Sequence, residues 1–172
     1  MVNYVATPLQ VQTPWSPGRT YVLGAYFELT GTGLASGDTI TFQDAITPSG
    51  IIAVDAMVRT SQLDSNATPL GKYELGDSAG DTNAAGRFIT SGSMGSNVSG
   101  AIVTTFSNVA PTFTAGVQVN GVGYEYFTDE NSVTNEAGGF LDLVLTVTTA
   151  PATAATTGTV WMYLTYYCVG NP

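Results

Sequence analysis

Histidine is absent from this chain of 172 residues, and cysteine occurs once, as Cys168. Without histidine there is no Ser-His or Cys-His pair, no imidazole metal ligand and no imidazole general base. A single cysteine excludes an internal disulfide. Basic residues are nearly as scarce: Arg19, Arg59, Lys72 and Arg87 are the four cations, against 13 acids, for a net charge of −9. A surface that neutralised nucleic-acid phosphates would need more cations, so direct nucleic-acid binding is not expected, nor is adhesion to an anionic membrane. No apolar run approaches the roughly 18 residues of a membrane span. The start MVNYVATPLQ lacks the basic and apolar segments of a secretory signal, so synthesis in a host cytoplasm is expected. No helical period is sustained long enough to indicate a helix; a turn or two within Thr82 to Ile89 is the best candidate.

The composition is that of a β protein. Hydrophobic residues make up 44% of the chain, enough for a core, yet only 10% are charged, so uncharged polar groups must cover the solvated surface. Thr (26) and Gly (20) dominate, one suited to strands and the other to turns. Strand-like runs lie at 21–29, 37–42, 51–60, 71–76, 100–106, 117–128, 141–149 and 159–168, with alternation at 37–42, 51–60 and the last two. In the third run Ile52, Val54, Ala56 and Val58 share a face, and Asp55 and Arg59 point away. In the last two, Leu141, Leu143, Leu145 and Val147 align, as do Val160, Met162, Leu164 and Tyr166. Trp161, Tyr163 and Tyr167 take the opposite face, which another layer or another subunit must cover. About eight strands separated by turns predict an all-β fold, an antiparallel β-sandwich of jelly-roll type.

Residues 1–19 read as an extended N-terminal arm preceding a sandwich domain of residues 20–172. Pro8, Pro14 and Pro17 oppose helix and central strand, and no charged side chain precedes Arg19. Tyr4, Leu9, Val11 and Trp15 give the arm apolar area suited to a neighbouring subunit, with Trp15 as anchor.

The loop YELGDSAGDTNAAGRFITSG gathers acids around one arginine. Asp77, Asp81 and Asn83 miss the EF-hand spacing, and Phe88 stands where the bidentate glutamate would be. The simpler reading is a turn that returns Phe88 and Ile89 to the core, with Arg87 clasping Asp77 or Asp81. Asp129, Glu130 and Glu136 read as solvated loop acids. Tyr124, Tyr126, Phe127, Trp161, Tyr163 and Tyr167 could form a sugar-stacking platform, but such alternating aromatics more often serve cores and subunit contacts. Cys168 reads as an apolar filler. No catalytic set, metal or cofactor is expected.

Several stretches in order carry a family resemblance: DTITFQDAITPSGIIAVDAMVRTSQLDSNATP, YELGDSAGDTNAAGRFI, GYEYFTDENSV and LDLVLTVTTAPATAATTGTVWMYLTYY. Together they resemble small jelly-roll-like head proteins of tailed bacteriophages, over residues 37–168. The resemblance implies a capsid decoration or cement protein on the outer surface of the virion. Its partners would be the major capsid protein and further copies of itself, as a dimer or trimer. It carries over no catalytic residues. A carbohydrate- or receptor-binding tip domain of a phage particle is the alternative.

Overall fold

The computed structural model describes residues 1–10, 18–46, 51–78, 84–96, 98–114, 117–121, 125–126 and 141–168. Thirteen strands lie among them: β1 (Asn3–Val5), β2 (Thr7–Gln10), β3 (Arg19–Thr30), β4 (Thr39–Ile46), β5 (Ile51–Thr60), β6 (Lys72–Asp77), β7 (Ile89–Ser93), β8 (Val103–Phe106), β9 (Thr112–Thr114), β10 (Val117–Asn120), β11 (Glu125–Tyr126), β12 (Leu141–Thr149) and β13 (Thr157–Cys168). The described residues contain no helix. Ala84 to Phe88, inside the best helical candidate, form turns and bends, as three glycines in the stretch Gly76 to Gly86 would favour.

The strands form two main sheets. The first has the order β1-β4-β12-β6-β7, and the second β11-β5-β13-β3-β2, with β8 also paired to β5; β9 and β10 form a separate hairpin. All pairs are antiparallel except β1 with β4. Setting the short edge pieces aside, β4-β12-β6-β7 faces β3-β13-β5-β8. Successive strands change sheet at nearly every connection, which is the interleaved order of an eight-stranded jelly roll.

The core lies between the sheets because each strand sends alternate side chains inward. From β12 come Leu141, Leu143, Leu145 and Val147, and from β13 Val160, Met162, Leu164 and Tyr166, all at most 4% exposed. Phe88 and Ile89 are fully buried, at the start of β7. Each buried Leu or Ile contributes about 1.5–3 kcal/mol by leaving water. Cys168 is buried among them.

Two expectations are corrected. In β5 the inward residues are Ile51, Ala53, Ala56 and Val58, while Ile52 is half-buried and Val54 is 46% exposed. The pairing with β13 slips between Asp55 and Ala53, so Val54 is the extra residue of a bulge and parity changes there. The N-terminal segment is the second. Residues 3–10 are not an arm outside the sandwich: β1 pairs with β4 and β2 with β3. Tyr4 packs its ring 4.9 Å from that of Phe27, and Ala6 is buried. Pro8 is tolerated because β2 is an edge strand. Val11, Pro14, Trp15 and Pro17 lie outside the described residues.

Candidate functional site

The outward face of the second sheet is built from cross-strand rows. Register places Tyr26 beside Trp161 and Trp161 beside Arg59, which pairs with Thr104. The next row runs Gly24, Tyr163, Met57, Phe106, and beyond it Val22, Thr165 and Asp55 follow. Trp161, Tyr163 and Tyr26 are half-buried, whereas Val22 is 54% and Phe106 58% exposed. Tyr167, paired with Thr20 and Ile52, extends the same face.

Gly24 leaves room on this face for two apolar side chains from neighbouring strands. A Cβ there would sit 3.0 Å from Cδ1 of Tyr163 and 3.2 Å from Cδ1 of Leu9. The missing side chain thus lets Leu9 of β2 and Tyr163 of β13 converge over β3. Charge on this face is sparse. The Arg59 guanidinium lies 5.9 Å from the Trp161 ring centroid, a cation–π contact. Oδ1 of Asp55 accepts from the Ser107 hydroxyl at 2.6 Å and from the Ala56 N–H at 2.8 Å. A charge-poor face carrying aromatic rings, a methionine and one stacked arginine has the make-up of a protein interface centre.

The outward face of the first sheet differs in kind. Oδ1 of Asn3 accepts from the hydroxyls of Thr39 and Thr41 at 2.9 and 3.0 Å. Register continues these rows through Thr146 to Glu74 and through Val144 to Gly76. Burial pushes the Glu74 carboxyl above the ordinary carboxylate range. This face is small and polar, without an aromatic ring in those rows.

Of the acidic loop, Arg87 and Asp77 meet in the interior. Arg87 Nε donates to Oδ2 of Asp77 at 2.5 Å, and Nη2 donates to Oδ1 at 3.3 Å, with both side chains buried. Asp81 and Asn83 lie outside the described residues, as do Asp129, Glu130, Glu136, Tyr124 and Phe127.

Two acids that sequence reasoning passed over do comparable work. Asp64, fully buried, accepts main-chain N–H groups of Asn66, Leu70, Gly71, Ala152 and Thr153 at 2.8–3.2 Å. Burial by itself would raise its pKa, but the donors from Gly71, Thr153, Ala152 and Leu70 outweigh it and hold the carboxyl far below the usual range. Asp38 accepts from the N–H of Val2 at 2.7 Å and of Ala35 at 2.9 Å, fastening β1 to the start of β4. The Asp-x-Asn spacing in LDSNATP was the available signal for the first, since such pairs nucleate side-chain-bonded turns.

A cleft of ≈ 600 Å³ opens between Ala67 to Pro69, Ser93, Ser96 and Ile102 to Thr104, and no acid or base lines it. Among the described residues no group of three or more His, Cys, Asp or Glu side chains could hold a metal ion.

No family model matches the chain, and no curated protein matches it. Two solved structures do. One is a chain of the cyanophage Pam1 capsid asymmetric unit, 20% identical, with a TM-score of 0.62 over 92% of this chain and 93% of that one. The other is a chain of the capsid of Ralstonia phage GP4, 17% identical, with a TM-score of 0.58 over 92% of this chain and 90% of that one. At such identities the likeness is one of fold, and it spans nearly the whole of each chain.

Proposed function

We propose that this chain is a structural protein of a tailed-phage virion, a decoration or cement subunit on the outer surface of the head. It binds the major capsid protein through the outward face of its second sheet, centred on Trp161, Tyr163 and Leu9, with Tyr167 at the margin. The observation that carries the reading is the convergence of Leu9 and Tyr163 over Gly24, within aromatic rows that run across three strands of a jelly roll. Likeness of that jelly roll to chains of two phage capsids supports the setting.

The composition agrees. A net charge of −9 suits a position away from packaged DNA. Many weakly binding subunits along a shell stabilise the assembled state by mass action, so each contact need not be tight. The reading assigns no reaction and no cofactor to the chain. Tyr4 is an internal packing residue in this account, against Phe27.

Co-sedimentation of the purified protein with undecorated capsids tests the proposal. Binding is expected for the native chain and for Thr146→Ala on the first sheet, and a loss of about tenfold or more for Trp161→Ala or Tyr163→Ala. Equal binding by all variants would remove the second sheet from the interface. Binding to a glycan array without binding to capsids would overturn the capsid reading in favour of a receptor-binding module.

A further inference from the structure

The two lateral edges of the sandwich are finished differently. On one side Asn108 bridges the sheets near β7 and β8. Its N–H donates to the Phe88 carbonyl at 3.0 Å, and its Oδ1 accepts from the Thr90 N–H at 3.0 Å. On the other side one run of chain borders both sheets. Among the described residues β1 is the outermost strand of the first sheet and β2 of the second, with buried Ala6 at the crossover.

The direction of the main chain along β1 follows from its bonds to β4. The Val2 carbonyl accepts from the Thr39 N–H at 2.9 Å, and the Ala6 N–H donates to the Thr41 carbonyl at 2.7 Å. Successive residues of an extended strand turn their main-chain groups to opposite sides, so Tyr4 shares this inward side. Asn3 and Val5 therefore turn their N–H and C=O groups outward along the edge. Val2 and Val5 are 49% and 55% exposed.

Sheet edges are ordinarily guarded by charge, proline or a bulge. On β2, Pro8 and the slip between Pro8 and Gln10 serve that purpose. On β1 there is no such guard: it contains no proline, and the first charged side chain in the sequence is Arg19. The neighbouring acid, Asp38, is 3% exposed and turned to the Val2 and Ala35 amides. In a chain of net charge −9, two copies repel wherever acids face each other. The β1 edge carries no charged side chain, and the one charge beside it is the Met1 ammonium, 3.9 Å from the buried Asp38 carboxylate, so the strip offers no exposed acid where two copies can meet.

We propose that β1 pairs antiparallel with β1 of a second copy, across a two-fold axis beside Tyr4, joining the two first sheets into one. In this register Asn3 exchanges both main-chain hydrogen bonds with Val5 of the partner subunit, and the symmetry repeats the exchange. A second copy is favoured as occupant because an antiparallel edge is self-complementary under a two-fold, and because the strip is free of the exposed acids that otherwise separate copies. The pairing stands apart from the capsid reading, since it involves the other sheet and needs only the isolated chain.

Sedimentation equilibrium of the isolated protein across the micromolar range, with amide hydrogen exchange at the two ends of that range, tests it. A dimer is expected, with the Asn3 and Val5 amides exchanging more slowly as concentration rises. Val5→Lys places charge on the strip, and Val5→Pro removes an outward donor while sparing the inward ladder. Each should weaken association about tenfold or more at unchanged β-sheet circular dichroism, with Val5→Ile associating as the native chain does. A native chain that stays monomeric, or Val5 and Asn3 amides that exchange at a rate independent of concentration, would overturn the proposal. So would folded Val5→Lys that dimerises as tightly as the native chain. A monomer that still binds capsids would remove this inference and leave the capsid reading intact.

Discussion

Arg87 and Asp77 meet inside the sandwich in a two-point ion pair, with neither side chain exposed. The pair joins the end of β6 to the segment that enters β7. Replacing a whole buried pair by apolar groups is often neutral, but removing one partner strands the other charge. Arg87→Ala is therefore expected to lower stability by about 3 kcal/mol or more in urea unfolding. Arg87→Met combined with Asp77→Leu should recover most of that loss. An unchanged midpoint for Arg87→Ala would show that the loop is held by other contacts.

Asp64 should give the fold its acid sensitivity. Burial opposes ionisation, yet main-chain donors keep its folded pKa far below the unfolded value. A depressed carboxyl contributes stability that is complete above the unfolded pKa and lost as pH falls from there toward the folded one. Asp64→Asn should cost about 2 kcal/mol or more near neutrality, since hydrogen bonds to a charged group are among the strong ones. The gap between native and variant stability should narrow as pH drops below about 4. Thermal unfolding across the acid range checks this, and a gap independent of pH would contradict it.

Gly92 and Tyr73 pair across β6 and β7. A Cβ at Gly92 would overlap the Tyr73 ring, which is fully buried and whose hydroxyl pKa is pushed up to about 12 by burial. Gly92→Ala should lower stability by about 1–3 kcal/mol through overpacking. Gly92→Ala with Tyr73→Phe would still clash, whereas Tyr73→Leu should relieve part of the loss. Melting temperatures of the three variants measure this directly.

Much of the fold was legible because most strands alternate cleanly. The inward rows of β12 and β13 read correctly, although β13 begins two residues before the run at 159–168, and Trp161, Tyr163 and Tyr167 fall outward as their parity required. β5 did not, because one bulge at Val54 shifts parity and nothing in IIAVDAMVRT marks it. β1 and β2 were hidden by their shortness, and β2 also by Pro8: a strand of three or four residues has too few alternations to detect. β7, ITSGS, carries hardly any apolar signal beyond Ile89. The outward aromatic face was visible along β13 alone. Its assembly with Leu9, Tyr26, Met57 and Phe106 depends on register between strands far apart in sequence, which no local pattern encodes.

The aromatic face should be separable from folding. Tyr163→Ala removes a half-buried ring from the surface, and its effect on melting should stay within about 1 kcal/mol while capsid affinity falls about tenfold or more. Parallel loss of melting temperature and binding would mean that the ring supports the sheet and not a partner.

As proposed, this jelly roll is a capsid subunit seated on the shell by its second sheet. Density for an intact particle, resolved well enough to place the chain, tests it most directly. Repeated copies are expected on the outer surface of the head, with Trp161 and Tyr163 turned toward the major capsid protein and the Thr39–Thr146 face toward solvent. Particles whose heads carry no density for this chain, or copies seated with the aromatic face in solvent, would contradict it.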